Sequence, residues 1–190
     1  MVTESTAPGN AGDTLLPIAR AAISTALGRL QEAAEDAHWL KEPGASFVTL
    51  TQEGELRGCI GTLEAHRTLL PDVRANAVSA ALHDPRFVPL TLAELAYTRI
   101  EVSVLSSSQV LHHESEAHAL SQLRPGVDGL VFEFQQRRST FLPQVWEQLP
   151  SPVQFMAQLK RKAGLPENFW AEGVQLSRYS VRKWQETGSS

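Results

Sequence analysis

Residues 46–62, SFVTLTQEGELRGCIGT, decide how this chain is read. Two runs rich in β-forming residues flank a Gln-Glu-Gly-Glu turn, which predicts a β-hairpin. Alternate side chains of a strand share a face. On the second run that rule places Leu56, Gly58 and Ile60 on one side and Arg57, Cys59 and Gly61 on the other. The first set carries the branched hydrophobes and is expected to face the core. Arg57 and Cys59 are then expected to point toward solvent or a cleft. Gly61, lacking a side chain, leaves room there for a ligand or another backbone.

Helical periodicity precedes the hairpin. Leu15, Ile18, Ala19, Ala22, Ile23, Ala26, Leu27 and Leu30 recur at spacings of three and four. Asp13 is the expected cap, Pro17 sits in the first turn, and the helix is expected to run to about Ala37. Residues 1–13 are small and polar and are expected to form a flexible tail, with 14–190 as one domain. After the hairpin, residues 68–87 predict a second helix, ended by Asp84-Pro85. Thr91 and Glu94 form a capping box. Residues 98–107, TRIEVSVLSS, predict a strand with Ile100, Val102 and Val104 buried. If it shares a sheet with the hairpin, Glu101 and Ser103 join Arg57 and Cys59 on one polar face. Residues 129–143 predict a second hairpin. Residues 151–165 predict a third helix, with Ser151 as cap, Pro152 at its first position and Gly164 as its stop. Residues 174–184 predict a closing strand. The order points to an α+β fold, a largely antiparallel sheet flanked by helices.

Composition narrows the function classes. Hydrophobic residues make up 42% and charged residues 20% of 190, as in ordinary soluble domains. The net charge is −4 and no Lys/Arg block stands out, so nucleic acid is not an expected partner. A single cysteine excludes an internal disulfide and suits a reducing cytoplasm. The first residues show neither the basic nor the apolar region of a signal peptide. No run of about 18 apolar residues marks a membrane span. His112, His113 and His118 fall in a stretch that reads as an exposed connector, so no metal site is expected from them. The absence of a phosphate-binding Gly-rich loop or dinucleotide fingerprint leaves no expected cofactor.

Cys59 has two readings. A guanidinium beside a thiol favours the thiolate, which is a nucleophile and a soft ligand. Alternatively, the residue is a small hydrophobe packed where glycines let two layers meet. Asp84 and Arg86 likewise read either as site residues or as corner residues, the Asp capping and the Arg clamping carbonyls.

LRGCIGT, residues 56–62, closely resembles the signature of the AMMECR-one family, the A component of the AmmeMemoRadiSam system. AVSAALHDPRFVPLTLAEL (77–95), IEVSVLS (100–106), GVDGLVFEF (126–134), STFLPQVWEQ (139–148) and FMAQLKRKAGL (155–165) resemble further family blocks in the same order. The likeness spans about Ala19 to Trp184. It implies an α+β fold of two unequal lobes with a groove between them, and no settled activity. Carried onto this chain, it marks Arg57, Gly58, Cys59, Ile60, Gly61, Asp84, Arg86, Phe87 and Glu101. The first functional reading is a groove-based module that binds a small molecule, a peptide or a partner, with Memo-like and radical-SAM proteins as its associates. The second is an enzyme or enzyme subunit. There Cys59 is nucleophile or thiolate ligand, Glu101 is general base or orienter, and Arg57 and Arg86 hold an anionic group.

Overall fold

The computed structural model describes residues 7–187, so residues 1–6 of the expected tail lie outside the described residues. From Ala7 onward the chain is held. Ala7 and Ala11 are buried, Arg182 donates to the Ala7 carbonyl at 2.7 Å, and the Trp184 indole N–H donates to the Gly9 carbonyl at 3.0 Å.

Helix α1 spans Gly12–Ala26, well short of the expected end near Ala37. A Schellman turn closes it. Gly28 takes φ +90°, its N–H donates to the Thr25 carbonyl, and the Arg29 N–H donates to the Ser24 carbonyl, both at 3.0 Å. Leu30, counted above on the apolar stripe, is therefore 79% exposed. The same closure ends α5 (Pro152–Lys162), where Gly164 at φ +77° matches its predicted role as stop.

The remaining helices are α2 (Leu69–Leu82), α3 (Leu92–Leu95) and α4 (Glu116–Gln122). The Thr91–Glu94 capping box on α3 is formed in both directions. Helix α4 stands where a connector was expected; the Ser115 hydroxyl accepts from the His118 N–H at 3.1 Å and starts it.

The strands are β1 (Ser46–Gln52), β2 (Glu55–Gly61), β3 (Arg99–Leu105), β4 (Gln109–Val110), β5 (Gly129–Phe134), β6 (Arg137–Phe141), β7 (Gln175–Tyr179) and β8 (Val181–Gln185). They form two four-stranded sheets, ordered β2-β1-β3-β8 and β4-β7-β5-β6, and the fold is α+β as expected. The expected closing strand 174–184 is two strands, one in each sheet, separated by Ser180. Both predicted hairpins form. Glu53 and Gly54 both take positive φ, the pattern of a type I′ turn, whose twist suits adjacent strands.

The chain divides into two compact units, one running to Ser106 and resuming at Arg182, the other Ser107–Val181. In the first, α1 and α2 pack on the sheet, burying Leu15, Ile18, Val48, Leu50, Ile100 and Val102. In the second, Phe132, Phe155, Met156 and Leu159 form the core, with the Trp146 ring stacked on Phe155 at 3.8 Å. No helix among the described residues is long and apolar enough to cross a membrane.

A buried polar cluster ties α2 to the sheet. Asp72 is fully buried and accepts five hydrogen bonds, from the Ser46 N–H and hydroxyl, the Thr62 hydroxyl, the Asn76 amide and the Arg67 guanidinium, at 2.7–3.0 Å. Asn76 also donates to the Ser46 carbonyl at 3.0 Å.

Candidate functional site

The β1–β2 register places the site residues. Leu50 pairs with Gly58, but Thr51 pairs with Leu56, so Arg57 is the extra residue of a bulge. Simple alternation therefore fails at one point: Leu56 shares the face of Thr51 and is 42% exposed, not in the core. Past the bulge the expected pattern resumes. Gly58 and Ile60 lie on the helix-covered side. A Cβ on Gly58 would stand 2.2 Å from the Ala80 carbonyl oxygen, so the α2 backbone rests directly on β2.

Cys59 lies on the opposite face, with its sulfur 3.3 Å from the Thr49 hydroxyl. Thr49 pairs with Cys59 on one side and Glu101 on the other, which makes a half-buried row Cys59–Thr49–Glu101 across three strands. A Lys183 ammonium lies 3.9 Å from Glu101. The next row is Gly61–Phe47–Ser103. There the Phe47 ring lies over Gly61, where an added Cβ would meet it at 2.2 Å. A side chain of the neighbouring strand thus fills the room that the glycine was expected to leave.

β2 is an edge strand, and an edge exposes unpaired backbone groups. At Cys59 those groups are covered. The Cys59 N–H donates to Asp84 Oδ2 at 2.9 Å, and the Arg86 guanidinium donates to the Cys59 carbonyl at 3.3 Å. Arg86 also grips Asp84 with two side-chain bonds, Nε to Oδ1 at 2.9 Å and Nη2 to Oδ2 at 2.7 Å. The Arg86 hydrogen bond holds the Asp84 carboxyl well below the usual carboxylate range, with N–H bonds from Cys59 and Arg86 adding to it against the opposing effect of burial. Arg86 is raised in turn by Asp84. Asp84-Pro85-Arg86 therefore acts as a corner that caps the edge of β2.

Arg57 is engaged elsewhere. Its guanidinium donates to the Val88 carbonyl at 2.9 Å and to Glu94 at 3.2 Å. Hydrogen bonds from Thr91, chiefly its backbone N–H, lower the Glu94 carboxyl, and Arg57 adds to this. The structure thus brings Cys59, Glu101, Asp84 and Arg86 to one region of the first sheet, and engages the Arg57 guanidinium with Val88 and Glu94. Thr49, the sulfur's neighbour, was not among the residues singled out from sequence. A two-residue turn with regular pairing would have set Thr49 opposite Gly58, and only the bulge moves it to Cys59. Among the described residues, no three His, Cys, Asp or Glu side chains are grouped to hold a metal ion.

Asp84 sets a pH expectation. Its folded value lies below the unfolded value of about 3.9. Its contribution to stability is then complete above that pH and fades as pH falls through the folded value. Asp84→Asn is expected to be less stable than the parent at pH 7, with the gap narrowing below about pH 4. Urea unfolding at several pH values checks this; a gap that stays constant down to acid pH would remove the ionised clamp.

Fold and site together define an α+β protein of two antiparallel sheets, the first bearing a thiol-centred row beside a clamped edge. The chain belongs to the AMMECR1 family, whose model matches residues 16–184. It is 37% identical over 188 residues to a protein of Methanothermobacter thermautotrophicus, covering 93% of this chain and 95% of the relative. It is 38% identical over 149 residues to Protein MJ0810 of Methanocaldococcus jannaschii, covering 76% and 74%. Among solved structures, it is similar to uncharacterized protein PH0010 from Pyrococcus horikoshii, with TM-score 0.78, 29% identity, and coverage of 95% and 94%.

Proposed function

We propose that this chain is a binding module whose recognition surface is the Cys59–Thr49–Glu101 row, with residues 14–190 acting as one domain and Memo-like and radical-SAM proteins as its partners. One observation carries the reading: both arginines expected to serve the thiol are hydrogen-bonded into the scaffold, Arg57 to Val88 and Glu94, Arg86 to Asp84 and Cys59. Both guanidiniums thus already serve the scaffold, which favours a structural role for them over a catalytic one.

The enzyme reading rests on Glu101 lying in the same row as Cys59. Distance weighs against it. Neighbouring strands are about 4.8 Å apart, so the β2 and β3 backbones are about 10 Å apart at this row. Direct proton transfer needs heavy atoms within about 3 Å, and the Thr49 side chain stands between them.

The test uses purified Memo-like and radical-SAM proteins and three forms of this chain: parent, Cys59→Ala and Thr49→Arg. The parent is expected to bind one of the partners, Cys59→Ala to bind it measurably more weakly, and Thr49→Arg at least about tenfold more weakly by placing a bulky charge in the row. Unchanged binding by a folded Thr49→Arg would remove the row as the surface. A turnover of the assembled proteins that Cys59→Ala abolishes while binding persists would establish the enzyme reading instead.

A further inference from the structure

The second unit holds a cleft of about 400 Å³, walled by residues 110–114 and 170–177, within the range of small-ligand pockets. It belongs to a different unit from the Cys59 row and does not rest on the reading proposed for that row. Its wall contains the half-buried Trp170. The ring is fixed by the His113 ring, edge to face at 5.3 Å, and by the Lys160 ammonium 5.9 Å from its centre. His113 is itself held by its Nδ1, 2.9 Å from the Leu111 carbonyl.

The charge of the wall has one sign. Glu114 and Glu172 line the cleft and are exposed, and no described residue makes a side-chain hydrogen bond or ion pair with either carboxylate. No Lys or Arg is among the lining residues. Lys160, whose ammonium lies over the Trp170 ring, is already paired. It is 1% exposed, pairs with Glu116 at 2.5 Å and donates to the Phe169 carbonyl at 3.0 Å. Its charge is matched before it reaches the cleft.

An aromatic ring beside unpaired carboxylates suits a cation with an apolar skin. Alkylated ammonium groups combine attraction to a ring face with weak hydration, and nearby carboxylates add charge complementarity. Val110 supplies apolar surface to the same wall. An anionic ligand would meet two like charges and no lysine or arginine, the only other ionisable groups of the wall being the His112 and His113 imidazoles. We propose that this cleft binds a small organic cation through a quaternary or alkylated ammonium group placed against Trp170, Glu114 and Glu172.

The experiment titrates choline into the isotope-labelled full chain and follows amide resonances. Its neutral carbon isostere, dimethylbutanol, is titrated in parallel. Choline is expected to give saturable shifts centred on residues 110–114 and 170–177. The isostere is expected to bind at least about tenfold more weakly, and Glu114→Gln with Glu172→Gln to weaken choline about tenfold. Both glutamates are exposed, so the double variant is expected to keep the parent spectrum elsewhere. Absence of saturable shifts, saturable shifts confined to other segments, equal binding of the isostere, or unchanged binding by the double variant would each overturn the assignment.

Discussion

Gly58→Ala is expected to lower the unfolding free energy by about 3 kcal/mol, the upper end of what overpacking a core commonly costs. The added methyl would stand 2.2 Å from the Ala80 carbonyl oxygen and 3.1 Å from its carbon. Those atoms belong to helix backbone, not to the end of a flexible side chain, so α2 as a whole must shift. Val73, Ala77 and Ala81 on that helix are buried in the first core and would move with it. Gly54→Ala is the control. Gly54 sits in the type I′ turn at φ +86° with nothing within 4 Å of an added Cβ, so only backbone strain of about 1 kcal/mol is at issue. Urea unfolding of both variants separates the two mechanisms. Equal losses would mean that the helix does not press on β2.

Asp72→Ala is expected to cost about 3–5 kcal/mol, because it removes one partner of a buried, charge-assisted network. The carboxylate satisfies the backbone N–H and hydroxyl of Ser46, the Thr62 hydroxyl, the Asn76 amide and the Arg67 guanidinium. Its loss leaves the Ser46 N–H in a fully buried position with no acceptor at that place. Thr62→Val removes one donor among several and is expected to cost about 1 kcal/mol. Chemical denaturation of both variants gives the comparison. A loss near 1 kcal/mol for Asp72→Ala would show that water or rearrangement replaces the carboxylate.

The local rules of the sequence reached far into the fold. The Glu53-Gly54 turn, the Thr91–Glu94 capping box and the Gly164 stop were legible because each is decided by residues within a few positions of one another. The same holds for the buried set Ile100, Val102 and Val104, whose alternation is a property of one strand. Gly28 carried an equally local signal for the end of α1, and apolar residues beyond it hid that signal. The division of 174–184 into β7 and β8 was not legible, since a two-sided strand pattern does not say which sheet each half joins.

The site divides along the same line. That Cys59 and Ile60 fall on opposite faces followed from the strand period alone. The Asp84-Pro85-Arg86 corner was legible as a cap and carbonyl clamp, and it became an edge cover for β2 only through the fold. Three features depended on tertiary structure throughout: the bulge at Arg57, the Phe47 ring over Gly61, and the turning of Arg57 to Val88 and Glu94. Each depends on partners 14 to 37 positions away in the chain or on the pairing register, which periodicity does not specify. The sequence by itself determined most of the strands and helices, though not the end of α1, helix α4 or the division of β7 from β8, and it determined which strand face bears the thiol. Only the packed structure decided what that thiol meets, because register and side-chain partners are set by close packing between segments distant in sequence.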